Sequence, residues 1–228
     1  MYFGYYYFDP LYGLVLIAML LSLLAGARVN STFKKYSRVR NRRGMTGADA
    51  ARAVLAANGV RDVRIERVSG NLTDHYDPKS NVIRLSDGVY DAATPAAVGV
   101  AAHEAGHAVQ YATGYAPIRV RAAIVPVTNI GSRISMPLIL LGLVMMSLET
   151  TVAVSNFFYY VAVVGALCYG TCVVFQLVTL PTEFNASRRA VRAIEHSELL
   201  TEEESRGAKK VLTAAAMTYV AALAVTLM

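Results

Sequence analysis

Residues 95–114 read PAAVGVAAHEAGHAVQYATG, a stretch that contains two of the chain's four histidines, His103 and His107. Residues four apart project from one face of a helix, so these two imidazoles can bind one tetrahedral ion such as zinc. Glu104 lies between them, where its carboxylate can reach a water molecule on that ion. The spacing predicts a metal site, and the alternative is that both histidines are ordinary polar residues at a helix surface.

The flanking residues predict a helix around these histidines. Thr94 can cap a helix N-terminus, and Pro95 fits the first helical position. Gly114 can end the helix, so we expect it to run from about 95 to 113. Residues 96–102 are small and apolar, which allows neighbouring helices to pack closely and to hold the histidines rigidly, as a metal site requires.

The composition is typical of a membrane protein and not of an average soluble domain. Hydrophobic residues make up 55% of the 228 positions, and the chain also carries 22 lysines and arginines. The apolar residues collect into four blocks, near residues 11–27, 134–148, 152–180 and 211–228. We therefore expect a mainly α-helical polytopic membrane protein with about four transmembrane helices.

The first apolar block is interpreted as a membrane helix and not as a cleaved signal peptide. No basic residue precedes it, residues 1–8 are rich in aromatic side chains like those at a membrane interface, and basic residues follow it. The second block is short for a membrane span. We expect it to begin earlier, near residue 122, and a re-entrant segment is the alternative.

The basic residues predict how the chain crosses the membrane, because lysine and arginine accumulate in short cytosolic loops. Fifteen lie in residues 28–121, six lie in residues 188–210, and Arg133 is the remaining one, whereas residues 149–156 contain none. The expected path places both termini outside and His103 in the cytosol. The net charge of +6 is therefore assigned to membrane topology, and nucleic acid is not an expected partner.

Residues 44–92 are expected to form part of a small cytosolic α+β insertion of the zincin type. Thr46 can cap a helix that runs through about Ala57. Alternating and β-branched residues predict three short strands, at residues 63–68, 72–76 and 81–85. We expect an antiparallel sheet whose edge strand could hold an extended peptide.

These expectations divide the chain into three parts. Residues 1–43 would contain the first transmembrane helix and a basic juxtamembrane segment. Residues 44–121 would form the cytosolic metal-binding region. Residues 122–228 would contain transmembrane helices two to four, with a possible third metal ligand between helices three and four.

A catalytic zinc site needs a third protein ligand, and Glu183 is the best candidate. It follows the third apolar block on the cytosolic side, which is the side predicted for both histidines. The alternative is that Glu183 is an acid at the start of a helix, favoured there by the helix dipole, because Pro181 can begin a helix.

Three motifs resemble the YugP-type family of bacterial membrane zinc metallopeptidases, and more distantly the HtpX and CAAX-processing membrane gluzincins. They are LTDHYDP at 72–78, HEAGHAVQ at 103–110 and EFNASRRA at 183–190, and the resemblance spans nearly the whole chain. The family usually has Asp where this chain has Asn185, and the gluzincins typically have Asp where Ser187 stands. If a carboxylate orients a ligand histidine in this chain, it would then come from elsewhere in the sequence.

The resemblance and the residues together imply a zinc-dependent endopeptidase in the inner membrane of a bacterial cell, with its active site facing the cytosol. Zinc would be held by His103, His107 and Glu183, and Glu104 would act as the general base. The candidate residues for stabilising the oxyanion are His75, Tyr111, Tyr115, Arg188 and His196. The expected partners are a peptide or protein substrate and the lipid bilayer.

Two alternatives remain open from the sequence. A catalytically inactive membrane scaffold or transporter-associated protein would hold a metal structurally and show no turnover. An intramembrane protease would carry residues 95–113 across the bilayer, which is disfavoured because polar sequence brackets this segment and it has no long apolar run.

Overall fold

The computed structural model describes residues 10–148 and 151–228, and the described chain is mainly helical, as predicted. The expected aromatic belt in residues 1–8 lies outside these described residues. In chain order the elements are α1 (Pro10–Tyr36), α2 (Gly47–Ala57), β1 (Arg64–Val68), β2 (His75–Asp77), β3 (Val82–Ser86), α3 (Asp87–Tyr90), α4 (Pro95–Ala112), α5 (Ala116–Leu148), α6 (Val152–His196) and α7 (Glu202–Leu227).

The described chain forms two compact units. The first unit contains the described residues up to Thr113 together with Glu183–Met228, and the second contains Gly114–Thr182. The predicted division at residues 43 and 121 separates apolar segments from polar ones, whereas the two units are defined by contacts between residues. The three-part division therefore stays a prediction.

Four helices of the described residues are long and apolar enough to cross a membrane, namely α1, α5, α6 and α7. The mean hydropathy of their most apolar windows lies between 1.6 and 2.1, and at most 22% of any window is buried within the protein. Apolar surface on this scale is stable in lipid and not in water. The chain therefore has the expected four candidate membrane helices, and α4 is not among them.

The second apolar block belongs to one continuous helix. Helix α5 begins at Ala116 and contains Pro126 and Pro137 without a break, so the expected span starts earlier than residue 122. A helix of 33 residues is about 50 Å long, which exceeds the thickness of a bilayer core. Arg133 on this helix is exposed and is not turned into the protein.

Helices α2 and α4 begin where the local signals predict. Thr46 caps α2 in a capping box, and Thr94 caps α4 by accepting from the backbone N–H of Ala97. Gly114 follows α4 with a φ of 66°, a conformation that glycine adopts without strain. The small residues 96–102 let α2 and α7 pack closely on α4, so the helix lies in the core of the first unit.

The three strands of the first unit form one sheet with the order β1-β3-β2. Strands β2 and β3 form an antiparallel hairpin, and Asn81 in its turn has a φ of 54°. Strand β1 pairs with β3 in parallel, so the expected antiparallel pairing is confirmed for β2 and β3 and is wrong for β1. Alternation predicts a strand but not the direction of its partner, and residues 69–81 carry the chain to the far edge before β3 begins.

Glu183 lies inside an unbroken helix. Helix α6 runs from Val152 to His196 and contains Pro181. The alternative in which Glu183 is an acid at a helix start is therefore wrong, because the turns before Pro181 are already helical. Proline inside a long membrane helix is tolerated, so it does not have to mark a boundary.

Candidate metal centre

Three side chains of the first unit converge on one point: His103 and His107 of α4, and Glu183 of α6. One ligand atom from each lies within 4.8 Å of the others. Glu183 Oε2 is 3.2 Å from His103 Nε2 and 3.5 Å from His107 Nε2. The structure thus brings together the three side chains that were predicted as ligands.

The two distances from Glu183 Oε2 to the imidazole nitrogens fit a zinc ion. Two ligand atoms that each lie about 2.0 Å from a tetrahedral zinc are about 3.3 Å apart, which is close to both observed oxygen–nitrogen distances. Glu183 is only 2% exposed, and a carboxylate buried this deeply needs a positive partner. Two imidazoles and one carboxylate are a ligand set that zinc accepts in proteins.

The surroundings of His107 favour positive charge. Burial by itself lowers the pKa of this imidazole, but the hydrogen bond with Glu183 and the charge of Glu104 outweigh burial and raise the pKa above its ordinary value. An ion held between the imidazole and the carboxylate would satisfy the same electrostatic preference.

A glycine sets the distance between the two helices that carry the ligands. A Cβ atom at Gly106 would lie 2.8 Å from the backbone oxygen of Ala186, so any side chain there would push α4 and α6 apart. Gly106 directly precedes His107, and Ala186 lies one helical turn after Glu183. This backbone contact therefore places the histidines beside the carboxylate.

Each histidine is oriented through its second ring nitrogen. His103 Nδ1 lies 3.1 Å from Ser187 Oγ, and His107 Nδ1 lies 3.0 Å from Gln110 Oε1. An amide oxygen only accepts, so Nδ1 of His107 donates and its Nε2 lone pair is left for a metal. Both rings thereby present Nε2 to Glu183.

Gln110 is itself held by α6. Its Nε2 donates to Asn185 Oδ1 at 3.0 Å, and the same oxygen accepts from Arg189 Nε at 2.8 Å. A chain of hydrogen bonds therefore runs from Arg189 through Asn185 and Gln110 to His107. Asn185 uses only its oxygen in these bonds, which is a role that the carboxylate of an Asp could also fill.

The partners of both Nδ1 atoms within the described chain are a hydroxyl and an amide, and not a carboxylate. Neither ligand histidine therefore has, among the described residues, the carboxylate partner that the resemblance left open. The contact of Gln110 with His107 was not predicted from the sequence, although Gln110 lies three residues after His107, a spacing at which helical side chains meet. Ser187 takes the place of the Asp of the gluzincins and contacts His103 directly.

Strand β2 holds the candidate general base. Glu104 Oε2 accepts a hydrogen bond of 3.0 Å from the backbone N–H of Tyr76. The ring of Tyr76 packs on Tyr111 of α4, with a centroid distance of 5.6 Å. Because β2 is an edge strand, the N–H that Glu104 engages lies on the side of β2 that faces away from β3.

The LTDHYDP motif builds this strand. Asp74 accepts from the backbone N–H of Ser86 at 2.7 Å and from its hydroxyl at 2.9 Å, and burial raises the pKa of Asp74 despite these bonds. Asp77 accepts from the Ser80 hydroxyl and from the backbone N–H of Lys79, and these bonds lower its pKa. The two carboxylates fix both ends of β2.

The other proposed donors differ in their surroundings. His75 is exposed on β2, and its Nδ1 contacts a backbone carbonyl. Arg188 and His196 are exposed on α6, whereas Tyr111 is half-buried on α4. Tyr115 belongs to the second unit. Their roles at the site stay predictions.

A cavity of about 140 Å³ opens beside His103 and Glu104. Ser187 and a face of α7 line it, and the α7 residues are Val211, Leu212, Ala215, Ala216 and Tyr219. Tyr219, which lines the same cavity as Glu104, was not among the residues predicted from the sequence. No motif marks this tyrosine, so only the packing of α7 on α4 reveals it.

The chain is similar to proteins that are described as zinc metallopeptidases or membrane proteases, which is consistent with the ligand set found here. A family model described as "Putative neutral zinc metallopeptidase" matches residues 11–228. The "Putative membrane protease YugP" of Bacillus subtilis (strain 168) is 42% identical over 214 residues, which cover 94% of this chain and 90% of that protein. No solved structure matches the chain. The chain therefore belongs to the family that this model describes, and its four long apolar helices match the description of that relative as a membrane protein.

Proposed function

We propose that the protein is a zinc-dependent endopeptidase that hydrolyses cytosolic proteins or membrane proteins near the inner face of the bacterial cell membrane. The convergence of His103, His107 and Glu183, with Glu104 beside His103 on the same helix, carries this proposal. Three protein ligands leave the fourth position of a tetrahedral ion for water, as in catalytic zinc sites, whereas structural sites use four.

The chemistry would depend on Glu104. Bound zinc would supply a Lewis acid that polarises the peptide carbonyl and activates a water molecule. Glu104 would take a proton from that water and deliver it to the leaving amine. The N–H of Tyr76 would keep the carboxylate in place, and Ser187 and Gln110 would keep the ligand imidazoles in their orientation.

The cavity beside Glu104 would receive part of the substrate. Its α7 wall contains Val211, Leu212 and two alanines, so an apolar substrate side chain next to the scissile bond would be preferred. Tyr219 joins the earlier candidates for an oxyanion donor, because a phenol O–H in this cavity can hydrogen-bond a developing charge.

The proposal is tested first by metal removal. The purified full-length protein is expected to contain about one zinc ion per chain and to cleave an unfolded protein such as casein. Chelation should stop cleavage, and added zinc should restore it. Zinc content would be measured by elemental analysis and cleavage by release of fluorescent peptides.

The His103→Ala/His107→Ala variant is the control for this experiment, because it should neither hold zinc nor regain activity. A protein that binds zinc and cleaves nothing would support the scaffold alternative. Cleavage that persists without metal, or the absence of zinc uptake on titration, would contradict the proposal.

The cytosolic orientation of the site is also proposed, and the distribution of charge supports it. Moving the basic residues of 28–121 and 188–210 across the bilayer would be costly. Tyr36 of α1 also packs against Gly207 of α7, so the basic ends of these two helices lie together, as one membrane side requires.

Cysteine labelling tests this orientation. Ser80 and Thr151 are exposed and can each be replaced by cysteine after Cys168 and Cys172 have been changed to serine. An impermeant thiol reagent should label only the cysteine at 151 in intact cells and both cysteines in permeabilised cells. Labelling at 80 alone in intact cells would invert the topology and place the site outside.

A further inference from the structure

A second concave surface of the first unit lies between α1 and α7. It has a volume of about 480 Å³. Five basic side chains line it, Arg28 and Lys35 from α1 and Arg206, Lys209 and Lys210 from α7, and no acidic side chain of the described residues does. We call this surface the basic groove. It shares no lining residue with the cavity beside Glu104.

Close packing of the two helices shapes the groove. A Cβ atom at Gly207 would lie 2.8 Å from Cδ1 of Tyr36, so only glycine lets α7 lie this close to the ring. Arg206 and Lys210 are four residues apart and therefore share one face of α7. Met217 lies two further turns along the same face and also lines the groove. The groove is basic at one end of α7 and apolar at the other.

The position of the groove along both helices corresponds to a membrane surface. Helices α1 and α7 are both candidate membrane spans. The apolar block of α1 ends directly before Arg28, and the apolar block of α7 begins directly after Lys210. Lys35 and the three basic residues of α7 therefore lie at the level expected for lipid headgroups, and Met217 lies at the level of the acyl chains. Arg28 lies about two turns deeper than Tyr36, and its side chain is long enough to extend toward the headgroups.

The positive charge of the groove is largely uncompensated. Arg206 pairs with Glu202 at 3.0 Å, but both side chains are exposed, so the pair contributes little. Arg28, Lys35, Lys209 and Lys210 make no ion pair within the described residues. Thr32 and Thr213 add hydroxyl donors to the lining. Side chains with these properties can bind a phosphate diester.

We propose that the basic groove binds one anionic phospholipid from the surrounding membrane. Its phosphate would lie among the lysines and arginines, and an acyl chain would extend along α7 past Met217. A free phosphate ion could bind the basic side chains but would gain nothing from the apolar end of the groove at Met217. The groove should therefore bind a phospholipid more tightly than inorganic phosphate. The proposal does not depend on protease activity.

Native mass spectrometry of the full-length protein in a non-ionic detergent tests the proposal. Phosphatidylglycerol, phosphatidylcholine and inorganic phosphate would be added separately. We expect one phosphatidylglycerol per chain, bound on the order of ten-fold more tightly than phosphatidylcholine. The Arg28→Gln/Lys210→Gln variant should bind phosphatidylglycerol about 25-fold more weakly, since each charge near a lipid surface contributes about five-fold.

Two further variants separate the groove from general charge and from folding. Arg38→Gln/Arg40→Gln removes two exposed charges of the same segment that do not line the groove, and its affinity should change less than about two-fold. Arg28→Lys/Lys210→Arg keeps the charge and should keep the lipid. The proposal is overturned if the groove variant binds like wild type, if phosphatidylcholine binds equally well, or if inorganic phosphate displaces the lipid.

Discussion

Replacing Glu104 by Gln will strongly reduce peptide hydrolysis and leave zinc binding unchanged. The amide has the size of the carboxylate, and its oxygen can still accept the hydrogen bond from Tyr76 N–H, so strand β2 should stay in place. The amide cannot accept a proton from water. We expect kcat/KM to fall by about 10²- to 10⁴-fold, the usual contribution of general acid–base catalysis.

The measurement pairs a peptide cleavage assay with the zinc content of the same preparation. Glu195→Gln is the matched control, because Glu195 is an exposed acid on α6, and it should change neither quantity. Full activity in the Glu104→Gln variant would assign the base to another residue. Loss of zinc together with activity would show that Glu104 supports the metal and not the proton transfer.

Replacing Glu183 by Ala will weaken zinc binding strongly. This change removes the only carboxylate that lies between the two Nε2 atoms within the described chain. The loss should exceed the roughly 10- to 100-fold that follows removal of an outer hydrogen-bond partner. Gln110→Leu removes such a partner from His107 and should fall within that smaller range. Affinities would be measured by competition with a chromophoric chelator.

Thermal unfolding of the same variants checks that the first unit still folds, and Glu195→Ala supplies the matched change on α6. Equal zinc affinity in wild type and the Glu183→Ala variant would remove Glu183 from the ligand set. A larger loss in the Gln110→Leu variant than in the Glu183→Ala variant would contradict the assignment of Gln110 as an orienting partner.

Local signals account for the parts of the fold that were predicted correctly. Helix α4 is bracketed by Thr94, Pro95 and Gly114, each of which acts on its immediate neighbours, so its bounds are nearly as expected. The membrane helices follow from long apolar runs, which need no tertiary information. Glu183 was predicted as a ligand because it follows the third apolar run. The helix formed by that run continues past Glu183 and ends at His196.

The errors and omissions have a common physical cause, which is contact between distant parts of the chain. The direction of β1 depends on where residues 69–81 cross the sheet. The LTDHYDP motif acquires its role only when Tyr76 meets Glu104, 28 positions away. Tyr219 lines the cavity only because α7 packs on α4. Hydrophobic periodicity and residue spacing predict only local structure, so they do not predict contacts between residues far apart in the sequence.

The division of the first unit between two stretches of sequence has a consequence for biosynthesis. Glu183 Oε2 contacts His103 across 80 positions, with the second unit encoded between them. At about 5–20 residues per second, a ribosome would need about 4–16 s to extend the chain from the histidines to the carboxylate. During that interval the growing polypeptide would carry two imidazoles without their third partner. The candidate metal centre could thus not assemble until α1, α5 and most of α6 had been made.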